Sequence, residues 1–311
     1  MATTNLHQVL EAQRPLLVPG AYDAFSARCV QASGFPCVYL GGGNMTASHL
    51  GLPDIGLLSF AGLEDLIRRV RRAVDIPLLV DVDTGYGNVF AVGVHLRWLE
   101  DSGVAGVHLE DQSEQKRCGH AGGHDVIPTA EMCRKVEVAA AATSDDFVLI
   151  ARTDARQAEG LDAAIARARA YVDAGADWIF VEALESREEL EAVGAAGLEV
   201  PLLANLVVGG KTPLLHPDEL AELGFDVVLY AGALLQSAGG AMLRTLQHLA
   251  TEGHVPEDGL MTLRQRFEVL DHERFTAAEN DALRPLEDAD PPSTGRWQAD
   301  AGRTGRRNRD V

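Results

Sequence analysis

Short apolar runs alternate with longer amphipathic stretches along most of the chain. The runs are rich in branched residues and too short for helices, which is typical of buried parallel strands. Eight strands are predicted, at Leu16–Val18, Cys37–Leu40, Pro77–Val82, Gly106–Leu109, Phe147–Ala151, Trp178–Val181, Pro201–Ala204 and Asp226–Tyr230. The intervening helices are predicted at Ala24–Ser33, Phe60–Ala73, Val89–Ser102, Thr129–Thr143, Leu161–Ala174, Ser186–Ala195, Pro217–Leu223 and Leu234–Thr251.

Several predicted helices end at a glycine that introduces the next strand, namely Gly34, Gly103, Gly175 and Gly224. Glycine adopts the left-handed cap conformation without a Cβ penalty. Repeated strand–helix units imply a parallel α/β sheet, and eight parallel strands close into a (β/α)8 barrel of the TIM type. The pattern alone leaves a doubly wound open sheet as the alternative, and the count of eight favours the barrel.

Additional helices are predicted on both sides of the barrel. One precedes Leu16, an amphipathic helix covers Leu260–Phe275, and Ala277–Leu286 continues it. From Asp288 onward the chain has almost no apolar residues, a composition typical of disorder. We therefore predict one barrel domain with a C-terminal helical extension over residues 1–286, followed by a disordered tail over 287–311.

Composition and charge narrow the classes of function. No apolar run reaches the roughly 18 residues that a membrane span needs, and polar residues throughout Met1–Pro15 indicate no secretory signal, so we expect a cytoplasmic protein. The net charge of −19 argues against binding to nucleic acid or to an anionic membrane. A small anionic substrate would need a locally positive site, which a divalent cation and a few arginines supply.

Polar side chains accumulate at the carboxyl ends of the predicted strands, where barrels of this type place their active sites. Asp81 and Asp83 lie on the same side of one strand because side chains alternate, and Glu110-Asp111 ends the next strand. Carboxylates gathered at one mouth repel each other unless a cation neutralises them, and Mg²⁺ is the hard cation that fits. Further strand ends carry Arg152-Thr153-Asp154, Glu182 and Asn205.

The second strand runs into Gly41-Gly42-Gly43-Asn44. Backbone amides without side chains can approach an anionic group closely, although any tight turn would explain such a run equally well.

Of the four cysteines, Cys118 is the candidate for chemistry. Cys29, Cys37 and Cys133 fall in helical or strand patterns and are predicted to be small buried hydrophobic residues, and no C-x-x-C pair is present. Cys118 lies in the segment Lys116-Arg117-Cys118-Gly119-His120, where two cations and an imidazole favour a thiolate or facile proton exchange. Nearby glycines make this loop a candidate lid. Spacing alone leaves an inert surface cysteine as the alternative.

Together these segments resemble the isocitrate lyase/phosphoenolpyruvate mutase superfamily over nearly the whole chain, from Val18 to about Phe275. The matching segments are VPGAYDAFSA, LGLPDIG, DVDTGYGN, HLEDQ, KRCGH, IARTDA, VEAL and ANLVVGGKTP. The resemblance is strongest to the branch of 2,3-dimethylmalate lyase, petal-death-like proteins and carboxyphosphonoenolpyruvate phosphonomutase, with methylisocitrate lyase somewhat more distant.

The resemblance implies a barrel in a homotetramer, a dimer of dimers, with a C-terminal helix exchanged between subunits. It implies Mg²⁺, with Mn²⁺ as a substitute, held by Asp83, while Asp81 and Glu110 act largely through water and Asp54 lies nearby.

The resemblance also implies roles around the substrate, a small dicarboxylate or 2-oxoacid. Arg152 would pair with one carboxylate, the amides of Gly42 and Gly43 would hold another, and Cys118 would protonate the carbanion left by carbon–carbon cleavage. Lys116, Glu110 and His120 join the predicted catalytic group. Tyr39, Gly41, Gly119, Glu182, Asn205, Val208 and Gln236 complete the predicted substrate site.

Four departures from the family pattern bear on the substrate. Val208 stands in place of a common Glu, Gln236 in place of an Arg of methylisocitrate lyases, Gly41 in place of a Ser, and His124 in place of a Lys. They disfavour a tricarboxylate and predict a malate-like dicarboxylate with a neutral or apolar substituent. Tyr39 or a metal-held water is the predicted base for the 2-hydroxyl.

Other reactions on the same scaffold stay open at this stage. They are those of a phosphonomutase, a phosphonopyruvate hydrolase, an oxaloacetate decarboxylase, or a binding protein that has lost catalysis. Phosphorus chemistry would require additional cationic contacts that the altered loops do not obviously provide.

Overall fold

The computed structural model describes residues 5–282 and shows a closed barrel of eight parallel strands in chain order. Each strand pairs with its neighbours in the sequence, and β1 also pairs with β8 to close the barrel. The predicted barrel is therefore confirmed. The strands are β1 (Leu16–Ala21), β2 (Val38–Leu40), β3 (Leu78–Asp81), β4 (Gly106–Glu110), β5 (Val148–Thr153), β6 (Trp178–Val181), β7 (Leu202–Asn205) and β8 (Val227–Tyr230).

The helices surround the barrel, and those predicted between strands are present within one or two residues. They are α1 (Leu6–Ala12), α2 (Ala24–Ala32), α3 (Gly42–Leu50), α4 (Phe60–Arg71), α5 (Val89–Asp101), α6 (Thr129–Ala142), α7 (Ala155–Glu159), α8 (Leu161–Asp173), α9 (Arg187–Gly194), α10 (Pro217–Glu222) and α11 (Ala233–Glu252). Helix α1 is the predicted N-terminal helix. Two helices were not predicted, α3 and α7, and both begin directly after a strand.

Helix α3 corrects the interpretation of the glycine run as a turn. Gly41 is its N-cap residue, and Gly42 and Gly43 form its first turn. Glycine has low intrinsic helix propensity, so the sequence pattern does not signal a helix here. Close packing explains the glycine, since a Cβ on Gly42 would lie 2.9 Å from both Asp81 Oδ2 and Asp83 Oδ1.

The core has two parts. The larger part packs the outer faces of the strands against the helices, with Leu63, Leu96 and Tyr171 fully buried. The smaller part fills the barrel interior and includes Leu6 and Leu10 of α1. Helix α1 therefore covers the amino-terminal end of the strands, which leaves the carboxyl end as the open one.

Two compact units divide the chain, residues 1–262 and the residues from Leu263 onward. The second unit contains α12 (Leu263–Val269) and α13 (His272–Ala282), where one helix over Leu260–Phe275 was predicted. The helices are separate because Asp271 between them has a φ of 53°, outside the helical region. The single-domain boundary at residue 286 stays a prediction, and the tail over 287–311 lies outside the described residues.

Burial corrects two of the three structural cysteines. Cys37 is buried as predicted, whereas Cys29 and Cys133 are partly exposed. Both lie on helices, α2 and α6, at positions between the core face and the solvent face. The apolar periodicity of a helix does not predict how far a residue at such a position is buried. Across residues 5–282, no helix combines the length and apolar character required to cross a membrane.

We expect Gly194→Ala to lower the free energy of unfolding by about 1–3 kcal/mol, the usual cost of overpacking. Gly194 ends α9, and a Cβ there would lie 1.6 Å from the carbonyl oxygen of Leu223. The matched control is Gly239→Ala within α11, where a Cβ has no neighbour within 4 Å. Urea unfolding followed by circular dichroism measures both variants, and equal midpoints would contradict this close packing.

Candidate active site

A cavity of about 280 Å³ opens at the carboxyl ends of the strands. Its lining contains every residue of the predicted substrate site, together with Asp81, Cys118, His120 and Arg152. Asp83, Glu110 and Lys116 lie beside it rather than in the lining. Of the four departures, Gly41, Val208 and Gln236 line the cavity. His124 does not, since it is buried with its Nε2 3.2 Å from the backbone oxygen of Asp154.

The carboxylates of Asp81, Asp83 and Glu110 are all buried at this mouth. Positive charge reaches them from Lys116, whose Nζ lies 2.6 Å from Asp54 Oδ1 and also contacts Asp83 Oδ1. The ammonium thus points into the carboxylates instead of toward the Cys118 thiol, where the sequence had suggested it. Among residues 5–282, no three His, Cys, Asp or Glu side chains converge as direct metal ligands.

The raised pKa values of two of these carboxyl groups nevertheless indicate a site that more positive charge would stabilise, and a divalent cation would supply that charge. Burial and the neighbouring Asp81 raise the pKa of Asp83 to about 6. Burial also raises the pKa of Glu110 well above its ordinary value, and neither of its carboxylate oxygens has a hydrogen-bond partner. Arg152 lies 3.4 Å from Glu110 without a hydrogen bond to it, so both oxygens of Glu110 can accept from metal-bound waters, and the donor set suits Mg²⁺ bound by few protein ligands and several waters.

Asp111 is not part of this mouth, contrary to the prediction from the strand ends. It is fully buried and accepts hydrogen bonds from Thr153 Oγ1 at 2.7 Å, Tyr171 OH at 2.7 Å and the backbone N–H of Asp154 at 2.9 Å. Arg167 Nη1 lies 3.4 Å from the same carboxylate. Adjacent residues of a strand point to opposite faces, so Asp111 faces α8 while Glu110 faces the cavity.

Arg152 is the central positive charge of the cavity. Its Nε and Nη2 donate to the two carboxylate oxygens of Asp154 at 2.9 and 2.8 Å. Its guanidinium also lies 3.4 Å from Glu110 and 3.4 Å from Glu182. Asp111 therefore orients Arg152 indirectly, because it holds the backbone of Asp154.

Cys118 is an exposed residue overall, yet the protein surrounds its thiol closely enough to change its ionisation. Burial raises the pKa of the Cys118 thiol above its ordinary value of 9.0, and a hydrogen bond from the backbone of His120 offsets this only in part. Of the two expectations, a thiolate or facile proton exchange, the raised pKa favours the second, because desolvation outweighs the neighbouring cations. A protonated thiol suits a proton donor.

His120 connects the Cys118 segment with two other parts of the site. The backbone N–H of Lys211 donates to His120 Nδ1 at 3.1 Å, so Nε2 carries the proton of the neutral ring. That Nε2 lies 3.3 Å from Glu182 Oε1. Asn205 Nδ2 donates to the other oxygen of Glu182 at 3.3 Å.

Tyr39 and His108 form a buried pair beneath the cavity, and His108 was not predicted. Tyr39 OH lies 2.6 Å from His108 Nε2, and the two rings stack. Burial lowers the pKa of His108 to about 4 and raises that of Tyr39 well above its ordinary value, so both groups are neutral at pH 7. A phenol with a raised pKa is a hydrogen-bond donor, which weakens the prediction of Tyr39 as the base. His108 lies within an apolar run, and only the inward alternation of β4 signals its position.

The backbone amide of Gly42, one of the two amides expected to hold a substrate carboxylate, already has a partner within the protein. The backbone N–H of Gly42 donates to Asp81 Oδ2 at 2.9 Å, so it fixes a carboxylate of the protein itself. Asn44 Nδ2 donates to the backbone oxygen of Ala231 and ties α3 to the residue after β8. Helix α3 thus positions the acidic residues.

If Cys118 acts as the proton donor, turnover falls at high pH, because the donor must be protonated. Its folded pKa lies above 9.0, so the alkaline limb of kcat/KM is expected above pH 9. A pH profile of the wild type measures this limb. An alkaline limb near neutrality that persists in Cys118→Ser would contradict the assignment.

Comparisons with known proteins agree with this geometry. The chain matches the phosphoenolpyruvate phosphomutase family over residues 6–250. It is 41% identical over 276 residues to a probable 2-methylisocitrate lyase 2 of Corynebacterium glutamicum, covering 88% of this chain and 89% of that protein. It is 39% identical over 242 residues to the 2,3-dimethylmalate lyase of Eubacterium barkeri, covering 77% and 83%. These identities do not separate the two branches.

A solved structure of oxaloacetate acetylhydrolase with the inhibitor 3,3-difluorooxalacetate superimposes with a TM-score of 0.85. The two chains are 36% identical, and the match covers 90% of this chain and 96% of that one. The chain therefore belongs to the isocitrate lyase/phosphoenolpyruvate mutase superfamily, and it is an enzyme of the carbon–carbon lyase type.

Proposed function

We propose that this enzyme cleaves the C2–C3 bond of a malate-like 2-hydroxy-dicarboxylate into a 2-oxoacid and a carboxylic acid. The observation that carries the proposal is that Cys118 lines the same cavity as Arg152 and adjoins the buried carboxylates, and burial raises the pKa of its thiol. A proton donor, a cationic anchor and a divalent-cation site are the three components that this cleavage requires.

Asp83 would hold Mg²⁺, or Mn²⁺ as a substitute, with Asp81 and Glu110 contributing through water. When bound, the cation supplies Lewis-acid stabilisation of negative charge on the substrate oxygens. Buried Glu110, with both oxygens free of hydrogen bonds, supports this assignment.

The protein's own side chains bind the substrate and deliver the proton. Arg152, fixed by Asp154, anchors a substrate carboxylate and stabilises the charge that develops on it. The 2-hydroxyl loses its proton to a water molecule in the cavity, the electrons of its O–H bond form the carbonyl, and the C2–C3 electron pair stays on C3. Cys118 then donates its thiol proton to C3 and regains one from solvent.

Two residues that depart from the family pattern line the outer end of the cavity. This end of the cavity favours an uncharged substituent on the substrate. Val208 and Gln236 line it, and Gln236 Nε2 donates to the backbone oxygen of Val208 at 2.9 Å. Its amide is thereby engaged with the protein, and no guanidinium stands at this position to receive a third carboxylate.

We also propose a homotetramer. Met242, Leu243 and Leu246 of α11 are 56%, 71% and 63% exposed, which is unusual for large apolar side chains placed so close together. Contact between subunits would cover them. Light scattering after size exclusion tests this assembly, and a monomer at micromolar concentration would contradict it.

The test of the function is turnover with Mg²⁺ of a panel of malate, 2- and 3-alkylmalates, isocitrate, methylisocitrate, phosphonates and oxaloacetate, followed by mass spectrometry. We expect a 2-oxoacid plus a carboxylic acid from an alkylmalate, and no turnover after chelation with EDTA. Oxaloacetate loss with no cleavage of any hydroxy-dicarboxylate would make the enzyme a decarboxylase, and phosphonate turnover alone would place it with the phosphorus-transfer members.

A further inference from the structure

The segment that carries Cys118 starts from a short antiparallel pairing at the rim of the barrel. It leaves the barrel after β4 and returns before α6. The backbone of Gln112 pairs with that of Val126, and the N–H of Ser113 donates to the carbonyl oxygen of Asp125 at 2.9 Å. Gln112 therefore lies at a fixed point of the rim, next to β4.

The side chain of Gln112 binds the backbone next to Cys118. Its Nε2 donates to the carbonyl oxygen of Arg117 at 2.9 Å, and its Oε1 accepts from the N–H of Arg117 at 2.9 Å. That carbonyl group belongs to the peptide bond whose nitrogen is the nitrogen of Cys118. Gln112 is fully buried, so solvent does not compete for these two hydrogen bonds. The amide therefore fixes the direction in which the chain enters Cys118.

A second glutamine holds the backbone on the other side of Cys118. Gln157 of α7 donates from its Nε2 to the carbonyl oxygen of Gly119 at 2.6 Å. Gln157 is partly exposed and provides one hydrogen bond to this segment, whereas Gln112 is buried and provides two. Of the two side chains, Gln112 is therefore the stronger restraint on the position of Cys118.

The backbone held in this way is in close contact with side chains of the candidate active site. A Cβ on Gly119 would lie 2.6 Å from Arg152 Nη2 and 2.6 Å from Glu182 Cγ. Gly119 follows Cys118 directly, so a shift of this backbone would change the distance between the thiol and a bound substrate. Gln112 itself is not among the described residues that line the cavity.

We infer that Gln112 is a positioning residue for the proton donor, because its amide holds the backbone before Cys118 so that the thiol faces the carbon that it protonates. Gln157 has the same role to a lesser extent, from the other side. This inference rests on the proposed function, and Gln112 acts through the backbone instead of contacting the substrate.

The first test is the steady-state kinetics of Gln112→Met, which keeps most of the side-chain volume and removes both hydrogen bonds. We expect kcat to fall about 10²-fold, the cost of a displacement of about 1 Å from the reactive geometry. KM is expected to change little, because Arg152 keeps its own hydrogen bonds to Asp154. A wild-type kcat in this variant would overturn the inference.

The matched control is Gln31→Met. The side chain of Gln31 also bonds backbone, since its Oε1 accepts from the N–H of Asp75 at 2.7 Å and from that of Ile76 at 3.4 Å. This site lies outside the cavity lining, so kcat is expected to stay close to that of the wild type. An equal fall in kcat in both variants would show that loss of any such glutamine has this effect, which contradicts a specific role for Gln112.

Cysteine alkylation separates a positioning role from a general loss of stability. Burial raises the pKa of the Cys118 thiol, so release of the segment toward solvent should speed its reaction with iodoacetamide at pH 8. Peptide mass spectrometry then gives the rate at each cysteine. We expect Gln112→Met to speed alkylation of Cys118 and to leave fully buried Cys37 as slow as in the wild type. Equal acceleration at both cysteines would indicate unfolding and overturn the inference.

Gln157→Met tests the same restraint at a partly exposed position, where the fold is expected to tolerate the change. Its kcat and its rate of Cys118 alkylation should lie between those of the wild type and Gln112→Met. Effects larger than those of Gln112→Met would contradict the assignment of Gln112 as the main restraint.

Cys118→Ser separates failure of this inference from failure of the proposed function. If Cys118→Ser keeps the wild-type kcat while Gln112→Met still speeds alkylation of Cys118, the proposed function fails and Gln112 still restrains the thiol. If Cys118→Ser loses activity while Gln112→Met matches the wild type in kcat and in alkylation, the proposed function stands and this inference fails.

Discussion

Cys118→Ser is expected to lower kcat by about 10²–10⁴-fold, the usual contribution of a general acid, and to leave KM nearly unchanged. A serine hydroxyl has almost the same volume but is a much weaker acid than a thiol. Burial raises the pKa of the Cys118 thiol, so the thiol is uncharged and contributes little to substrate binding. The substitution is therefore expected to slow the chemical step and not to weaken binding.

The matched control is Cys133→Ser. Cys133 lies on α6, away from the cavity lining, and its Sγ contacts the backbone oxygen of Ala170 at 3.5 Å. Steady-state assays of both variants on the same alkylmalate measure the difference. Comparable kcat values for the wild type and Cys118→Ser would remove Cys118 from the reaction.

Asp111→Ala is expected to lower the free energy of unfolding by about 3–5 kcal/mol, the cost of removing one partner from a buried charged network. The substitution removes the acceptor to which the buried hydroxyls of Thr153 and Tyr171 donate, and it removes one anionic partner of Arg167. It also frees the backbone of Asp154, so residual folded protein should have a lower kcat/KM through a misplaced Arg152.

Asp101→Ala is the control for Asp111. The side chain of Asp101 is 59% exposed and pairs with Arg97 at 3.3 Å, so its loss should change the stability by less than about 0.5 kcal/mol. Urea unfolding compares the two variants. A similar small change in both would show that the Asp111 network contributes little.

The alternation of apolar runs and amphipathic stretches predicts the barrel well, because each element follows its own period. Strand β6 was predicted with the observed bounds, Trp178–Val181. Helix α3 was not predicted because the glycines at its start have poor helix propensity. In the folded protein, tertiary packing against Asp81 and Asp83 overrides that preference.

Within the candidate site, the period of the strands places Asp81, Glu110 and Arg152 at one end of the barrel. The same reasoning grouped Asp111 with Glu110, although consecutive residues of a strand face opposite sides. Long side chains are harder to predict, since only the folded structure shows that Lys116 turns to Asp54 and Asp83. The same holds for the ionisation of Cys118, which depends on burial more than on its sequence neighbours.

Cleavage of a 3-alkylmalate in D₂O, followed by NMR of the carboxylic acid product, tests the central claim most directly. The account predicts a 2-oxoacid and an acid that carries one deuterium on the former C3 with a single stereochemistry, at a rate that collapses in Cys118→Ser. A racemic deuterated acid formed at equal rates by the wild type and Cys118→Ser, or oxaloacetate decarboxylation as the sole activity, would contradict it.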